Sequence, residues 1–195
     1  MNSVVDYGFS IRPHYAEVVS GDAVWVSELD GGLLLAIVDG LGHGTAAYEA
    51  GKVALSYLET NTNTDVTHIM RAVHEQLRGT RGAAAGFAWL DLQTGRLQYA
   101  GTGNTMIRRF GDNETRLLSR EGVLGERLPS PFPQEMVLSQ DDVLVMYTDG
   151  IRSQFPAEAY PGLMLDTADM VSRTIVHRFG KEHDDAACLA VRLRP

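Results

Sequence analysis

The chain has 195 residues, one cysteine and 44% apolar side chains, with 17 Lys and Arg against 25 Asp and Glu for a formal net charge of -8. A chain this long is one domain's worth and buries roughly two thirds of its unfolded surface, so it needs no disulfide or structural metal to hold together. The apolar content excludes a disordered chain, and the acidic surplus excludes a general nucleic-acid binder, which wants a basic face.

Met1 to Tyr7 holds no Lys or Arg and no long apolar stretch, so no secretory leader is expected. The longest apolar run, Leu33 to Val38, is far too short to cross a bilayer. The expectation is a soluble, cytoplasmic protein. Ala23 to Leu29, rich in Val and Trp, reads as a strand, and Asp30-Gly31-Gly32 turns into a second strand over Leu33 to Val38. A strand apolar on both faces is buried on both faces. His43 to about Glu59 repeats apolar residues at helical spacing, as does Asp65 to Leu77. Strands are then expected over Ala83 to Leu92, Leu97 to Ala100, Thr105 to Phe110, Arg116 to Leu118 and Val143 to Tyr147. Pro129, Pro131 and Pro133 mark an extended connection, not a domain boundary. Ala168 to Phe179 reads as a helix, and Ala186 to Leu193 closes the chain as a strand containing Cys188, expected to be buried and inert. There is no internal repeat. Runs of strands with helices grouped between them predict α+β layers.

Two places look alike. Leu33 to Val38 ends in Asp39-Gly40, and Val143 to Thr148 ends in Asp149-Gly150. Asp184-Asp185 precedes the last strand, and Asp22 precedes the strand at Ala23. Each Asp-Gly alone reads as a turn. Four acidic positions at strand ends, brought together, would repel one another and need cations to persist. An oxygen-only donor set favours Mg²⁺ or Mn²⁺ over zinc. Asp39-Gly40-Leu41-Gly42-His43-Gly44 opens a helix, whose N-terminal amides favour anions such as phosphate. It is neither a Walker loop nor a dinucleotide fingerprint, since no Lys-Ser/Thr follows and the glycines alternate singly.

In order and spacing, Gly21-Asp22, Asp39 to Gly44, Thr148-Asp149-Gly150-Ile151 and Asp184-Asp185 resemble the metal-dependent PPM family of protein serine/threonine phosphatases. The likeness is greatest to its SpoIIE-like bacterial branch and the sigma-B pathway phosphatases, in particular the short stand-alone member that acts on the stressosome. Tyr99 to Asn104, ahead of a strand, agrees as a lesser feature. The resemblance implies a single catalytic domain over residues 1–195 with a four-layer αββα sandwich, two antiparallel sheets flanked by helix pairs. It implies two divalent ions, Mn²⁺ or Mg²⁺. Asp39 would bridge them, the Gly40 carbonyl would bind the first, Asp149 and Asp184 the second, and Asp22 would stand near the first through water. Asp39, Asp149 and Asp184 would carry catalysis, and Asp185 would stand beside a ligand. The implied substrates are phosphoserine or phosphothreonine on STAS-domain stressosome proteins of the RsbR/RsbS type, met by a monomeric enzyme.

The sequence departs from the larger eukaryotic-type relatives, which carry a His directly after Asp-Gly. Leu41 stands there, and His43, two residues on, is expected to pack at the helix start or hydrogen-bond within its loop. Arg12, Arg81 and Arg152 are the candidates for a phosphate-gripping arginine, each expected to be a solvated surface residue. Ala186-Ala187 stands where relatives often show a Thr. Three alternatives remain: a phosphatase of a phosphorylated anti-sigma-factor antagonist, a catalytically dead partner-binding member, and an ATP-binding anti-sigma kinase, whose Asp-x-Gly-x-Gly box is not matched.

Overall fold

In the computed structural model, the apolar run at Leu33 becomes the centre of a strand, Gly32–Gly40, and every side chain from Leu33 to Val38 is fully buried. The structure describes residues 4–128, 130–152, 155, 160 and 162–194. Among them are ten strands and three α-helices. The strands form two antiparallel sheets. One runs β1 (Val4–Arg12), β10 (Ala186–Arg194), β9 (Val143–Tyr147), β6 (Met106–Phe110), β7 (Thr115–Leu117). The other runs β2 (Asp22–Leu29), β3 (Gly32–Gly40), β4 (Ala83–Asp91), β5 (Arg96–Thr102), β8 (Gln134–Val137).

Side chains alternate across a strand, so a strand buried on both faces joins two cores. Leu33, Leu35 and Ile37 of β3 meet Leu144, Met146, Leu189 and Val191 between the sheets. Leu34, Ala36 and Val38 face α1 (Thr45–Thr60) and α2 (Val66–Gln76) through Ala50, Ala54, Leu58, Ile69 and Met70. On the other sheet, Val143, Val145, Cys188 and Ala190 face α3 (Ala168–Phe179) through Val171, Ile175 and Phe179. The result is the expected layering of helix, sheet, sheet, helix, with α3 and a single 3-10 turn at Leu163–Leu165 on the second sheet. Each fully buried Leu or Ile in these layers contributes roughly 1.5–3 kcal/mol. Cys188 is fully buried, and burial pushes its thiol pKa up, in keeping with an inert thiol.

The termini of the elements differ from the sequence reading in small ways. Asp65 caps α2 from outside, accepting hydrogen bonds from the backbone N–H groups of Thr67 (2.8 Å) and His68 (3.2 Å). Thr167 caps α3 in the same way through Met170 N–H. Two strands were not expected. β1 is an edge strand whose polar and apolar residues alternate, and it is fixed by pairing along its whole length with β10. β8 is short, follows Pro133, and is held by pairing with β5. Pro129, part of the expected extended connection, lies outside the described residues. No helix among the described residues is long and apolar enough to cross a membrane.

Candidate metal centre

The alternation that builds the core between the sheets also builds the site. β2 and β3 are antiparallel, so the start of one lies beside the end of the other, and Asp22 pairs directly with Asp39. Two residues beyond Val24 and Ile37, both carboxylates fall on the face that looks between the sheets. β9 and β10 are also antiparallel neighbours. Thr148 continues the inward row of Leu144 and Met146, and Asp185 continues that of Ala187 and Leu189. Both sheets therefore bring polar groups to the same end of the sandwich.

An inner layer is buried and tied together by hydrogen bonds. Thr148 Oγ1 donates to Asp22 Oδ2 at 2.7 Å and accepts from Ala187 N–H at 3.0 Å, so one hydroxyl joins the two sheets. Asp185 accepts from His14 N–H at Oδ1 (2.8 Å) and from Gly21 N–H at Oδ2 (2.9 Å). It fastens the β1–β2 connection to the base of β10. The outer layer is half-buried. Asp39, Asp149 and Asp184 line one pocket of about 540 Å³, whose wall is completed by Leu41, His43 and Asn104 among others. Asn104 Nδ2 donates to Asp149 Oδ2 at 2.5 Å. Asp22 and Gly40 lie off that pocket wall: Asp22 sits behind it beside Asp39, and Gly40 is buried where β3 ends.

The electrostatics follow from the crowding. Burial raises the Asp39 pKa to about 7, with repulsion from Asp149, Asp184 and Asp185 adding to it and a hydrogen bond from Asn104 opposing it. Burial, then repulsion from Asp39, also raises Asp22, against the Thr148 hydrogen bond. Asp184 is raised by burial and by Asp149, while Lys181 draws it the other way. A divalent cation is the group that offsets such repulsion, and the donors are all oxygen, the set that hard cations take. Among the described residues, no group of three or more His, Cys, Asp or Glu side chains is gathered so as to hold an ion by itself. An ion here needs backbone carbonyl and water to complete its shell, as Mg²⁺ prefers.

The two Asp-Gly pairs turn out to be different structures. Asp39-Gly40 is strand, still paired with Ala84 and Ala83 of β4. Thr148 to Ile151 is a true turn, closed by Ile151 N–H to Thr148 O at 3.0 Å. Both glycines serve close packing. A Cβ on Gly40 would strike the Ala47 carbonyl of α1, and one on Gly150 would strike the Asp185 carbonyl. Gly150→Ala is therefore expected to cost about 1–3 kcal/mol or more, because backbone cannot give way as a side-chain tip can. Urea unfolding measures it, and a variant as stable as the parent would contradict the close approach.

The sequence reading missed the partners of the carboxylates. Asn104 ends the Tyr99 to Asn104 stretch noted above, and Thr148 lies inside a quoted motif, so both carried a signal. Glu17, which holds His43 Nδ1 at 2.8 Å, carried none. Arg12 donates to the Lys181 carbonyl, Arg81 to the Leu41 carbonyl at 3.4 Å, and Arg152 is exposed. His43 is exposed on the pocket wall.

Comparisons with known proteins agree with this architecture. Phosphoserine phosphatase RsbX of Bacillus subtilis is 27% identical over 86 residues, a match that spans 44% of this chain and 43% of that protein. A structure from work on the bacterial stressosome, described as a modular system adapted to control secondary messenger signaling, is 29% identical. It covers 97% of this chain and 100% of its own, with a TM-score of 0.89. RsbX in complex with magnesium, at 17% identity, covers 97% of this chain and 95% of its own with a TM-score of 0.82, which shows the same fold. The model of the stage II sporulation protein E family matches residues 29–194, a span that includes Asp39, Asp149 and Asp184, and the chain belongs to that SpoIIE family.

Proposed function

We propose that this protein is a metal-dependent phosphatase of phosphoserine and phosphothreonine, and that its substrates are phosphorylated STAS-domain proteins of a stressosome. The observation that carries the reading is the convergence of Asp39, Asp149 and Asp184, from two different sheets, on one pocket where Asp39 is held at a pKa of about 7. Relatives named for phosphoserine hydrolysis and for the stressosome support the choice of substrate class.

Two divalent ions, Mn²⁺ or Mg²⁺, when bound, supply an acidified water and neutralise charge on the phosphoryl oxygens. In this reading Asp39 lies between the two, the Gly40 carbonyl and Asp22 serve the first, and Asp149 and Asp184 the second. Asn104 fixes the rotamer of Asp149. Thr148 keeps Asp22 in register with the other sheet. The pocket admits a phosphorylated side chain and holds its phosphorus in line for attack, with no covalent bond to the protein. Residues 1–195 act as one catalytic domain, as a monomer, in the cytoplasm.

The test offers the purified protein, with Mn²⁺, a phosphorylated stressosome STAS protein and a phosphorylated anti-sigma-factor antagonist side by side. The expected result is Mn²⁺-dependent release of phosphate with the higher kcat/KM on the stressosome protein. Equal rates, or preference for the antagonist, overturn the substrate assignment. No release from either, nor from p-nitrophenyl phosphate, overturns the phosphatase reading and favours a partner-binding role.

A further inference from the structure

His43 was expected to serve packing, yet it does not pack into the fold: more than half of its side chain is exposed. It stands between Gly42 and Gly44, whose positive φ angles (84° and 76°) turn the loop and leave the ring on the wall of the pocket that holds Asp39, Asp149 and Asp184. The ring is held from two sides. Glu17 Oε1 lies 2.8 Å from Nδ1. The imidazole of His14 stacks on it at 4.5 Å between centroids and 9° between planes. Gly44 is what lets Glu17 reach: a Cβ there would lie 2.8 Å from the same Oε1. His14 is in turn pinned, its N–H on Asp185 Oδ1 at 2.8 Å. The histidine is thus registered, through His14 and Asp185, to the base of the strand that follows Asp184. Nε2 has no hydrogen-bond partner among the described residues, and Arg81 is the nearest cation of the loop, donating to the Leu41 carbonyl.

A serine or threonine alkoxide is a poor leaving group and needs a proton as the ester bond breaks. A ring held by a carboxylate on one nitrogen and free at the other is the arrangement that delivers one. We propose that His43 is the proton donor to the departing serine or threonine oxygen and that Glu17 is its positioning residue, an assignment that rests on the phosphatase reading above. In the step, the oxygen of a water bonds to phosphorus and that water's proton goes to solvent. The bond from phosphorus to the serine Oγ breaks, its electron pair stays on Oγ, and the Nε2 proton of the doubly protonated ring passes to it. The ring keeps its Nδ1 proton against Glu17, and solvent restores the proton at Nε2.

The test compares a phosphoserine peptide with p-nitrophenyl phosphate, whose leaving group needs no proton. His43→Gln is expected to lower kcat on the peptide about a hundredfold, and to lower it far less on the aryl ester. Glu17→Gln should give a smaller drop with the same selectivity. Two further readouts separate this from a structural role. Mn²⁺ affinity by calorimetry should stay within about twofold of the parent in both variants, since neither residue is a ligand here. Ring ¹⁵N shifts assigned to His43 should place a proton on Nδ1, and that signature should move in Glu17→Gln. Equal losses on the two substrates, or a His43 ring unprotonated at Nδ1, overturn the assignment while leaving the phosphatase reading intact. A parent protein that hydrolyses neither substrate with Mn²⁺ overturns both.

Discussion

Asp39→Asn is expected to abolish Mn²⁺-dependent phosphate release and, at the same time, to stabilise the metal-free fold at pH 8. The first effect follows from the position of Asp39, on the pocket wall with Asp149 and Asp184 and nearest to Asp22 in the sheet. An amide has one oxygen and no charge, so it neither bridges cations nor offsets their charge. A loss of at least a thousandfold in kcat/KM is the order expected when a metal-bridging ligand goes. The second effect follows from linkage. Asp39 has a folded pKa of about 7 against an ordinary value of 3.8. Between those values the unfolded chain has released the proton and the folded chain has not, so stability falls as the pH rises from about 4 to about 7 and levels off above it. Asn carries no such charge and escapes that fall. The gain is on the order of a few kcal/mol at pH 8 and vanishes by about pH 4. Urea unfolding in EDTA at both pH values measures it, and Mn²⁺ should stabilise the parent and not the variant. A variant that turns over at the parent's rate, or that is less stable at pH 8 with no pH dependence, would sink the assignment of Asp39 as the crowded central ligand.

Asp185→Ala is expected to act in the opposite sense, destabilising the fold without removing a proposed ligand. Asp185 is almost fully buried and its two oxygens take the N–H groups of His14 and Gly21. Alanine leaves both donors without a partner. Each such loss costs roughly 1–3 kcal/mol, so the pair amounts to about 2–5 kcal/mol. The same change loosens the connection that carries Glu17 and His14, so the His43 ring should lose its fixed environment, visible as averaged ring shifts. Denaturant midpoints measure the first part. A loss under about 1 kcal/mol would mean that the β1–β2 connection is held by other contacts.

The contrast between these two neighbours, Asp184 and Asp185, is instructive. They are adjacent in sequence, yet a strand sends successive side chains to opposite sides. One is half-buried on the pocket wall and the other is buried under Gly21. The dipeptide alone assigns neither role. The direction of β10, set by Leu189 and Val191 facing the other sheet, assigns both.

Much of the rest was legible in the residues. The runs Leu33 to Val38 and Val143 to Tyr147 are apolar without alternation, and only a strand covered on both faces tolerates that, so they announced the middle of a layered fold. The spacing of Ala50, Ala54, Leu58, Ile69 and Val73 announced two helices with one apolar side each, and both lie on the sheet that contains β3. The position of Asp39, Asp149 and Asp184 at the ends of apolar strands announced a shared edge, because strand ends are where a carboxylate can sit beside a core and still reach water. β1 and β8 were not legible. Their residues carry too little apolar surface to mark them, and what makes each a strand is the backbone of a partner far away in the chain.

The sequence by itself determined the layers and the identity of the acidic residues, since burial of apolar side chains is a local property that repeats with the period of the element. Only the tertiary structure decided which polar groups meet. Thr148 reaches Asp22 across 126 residues, Asn104 reaches Asp149 across 45, and Glu17 reaches His43 across 26. The raised pKa of Asp39 exists only after two sheets have brought their ends together, because repulsion falls with distance and the unfolded chain keeps these carboxylates apart in water.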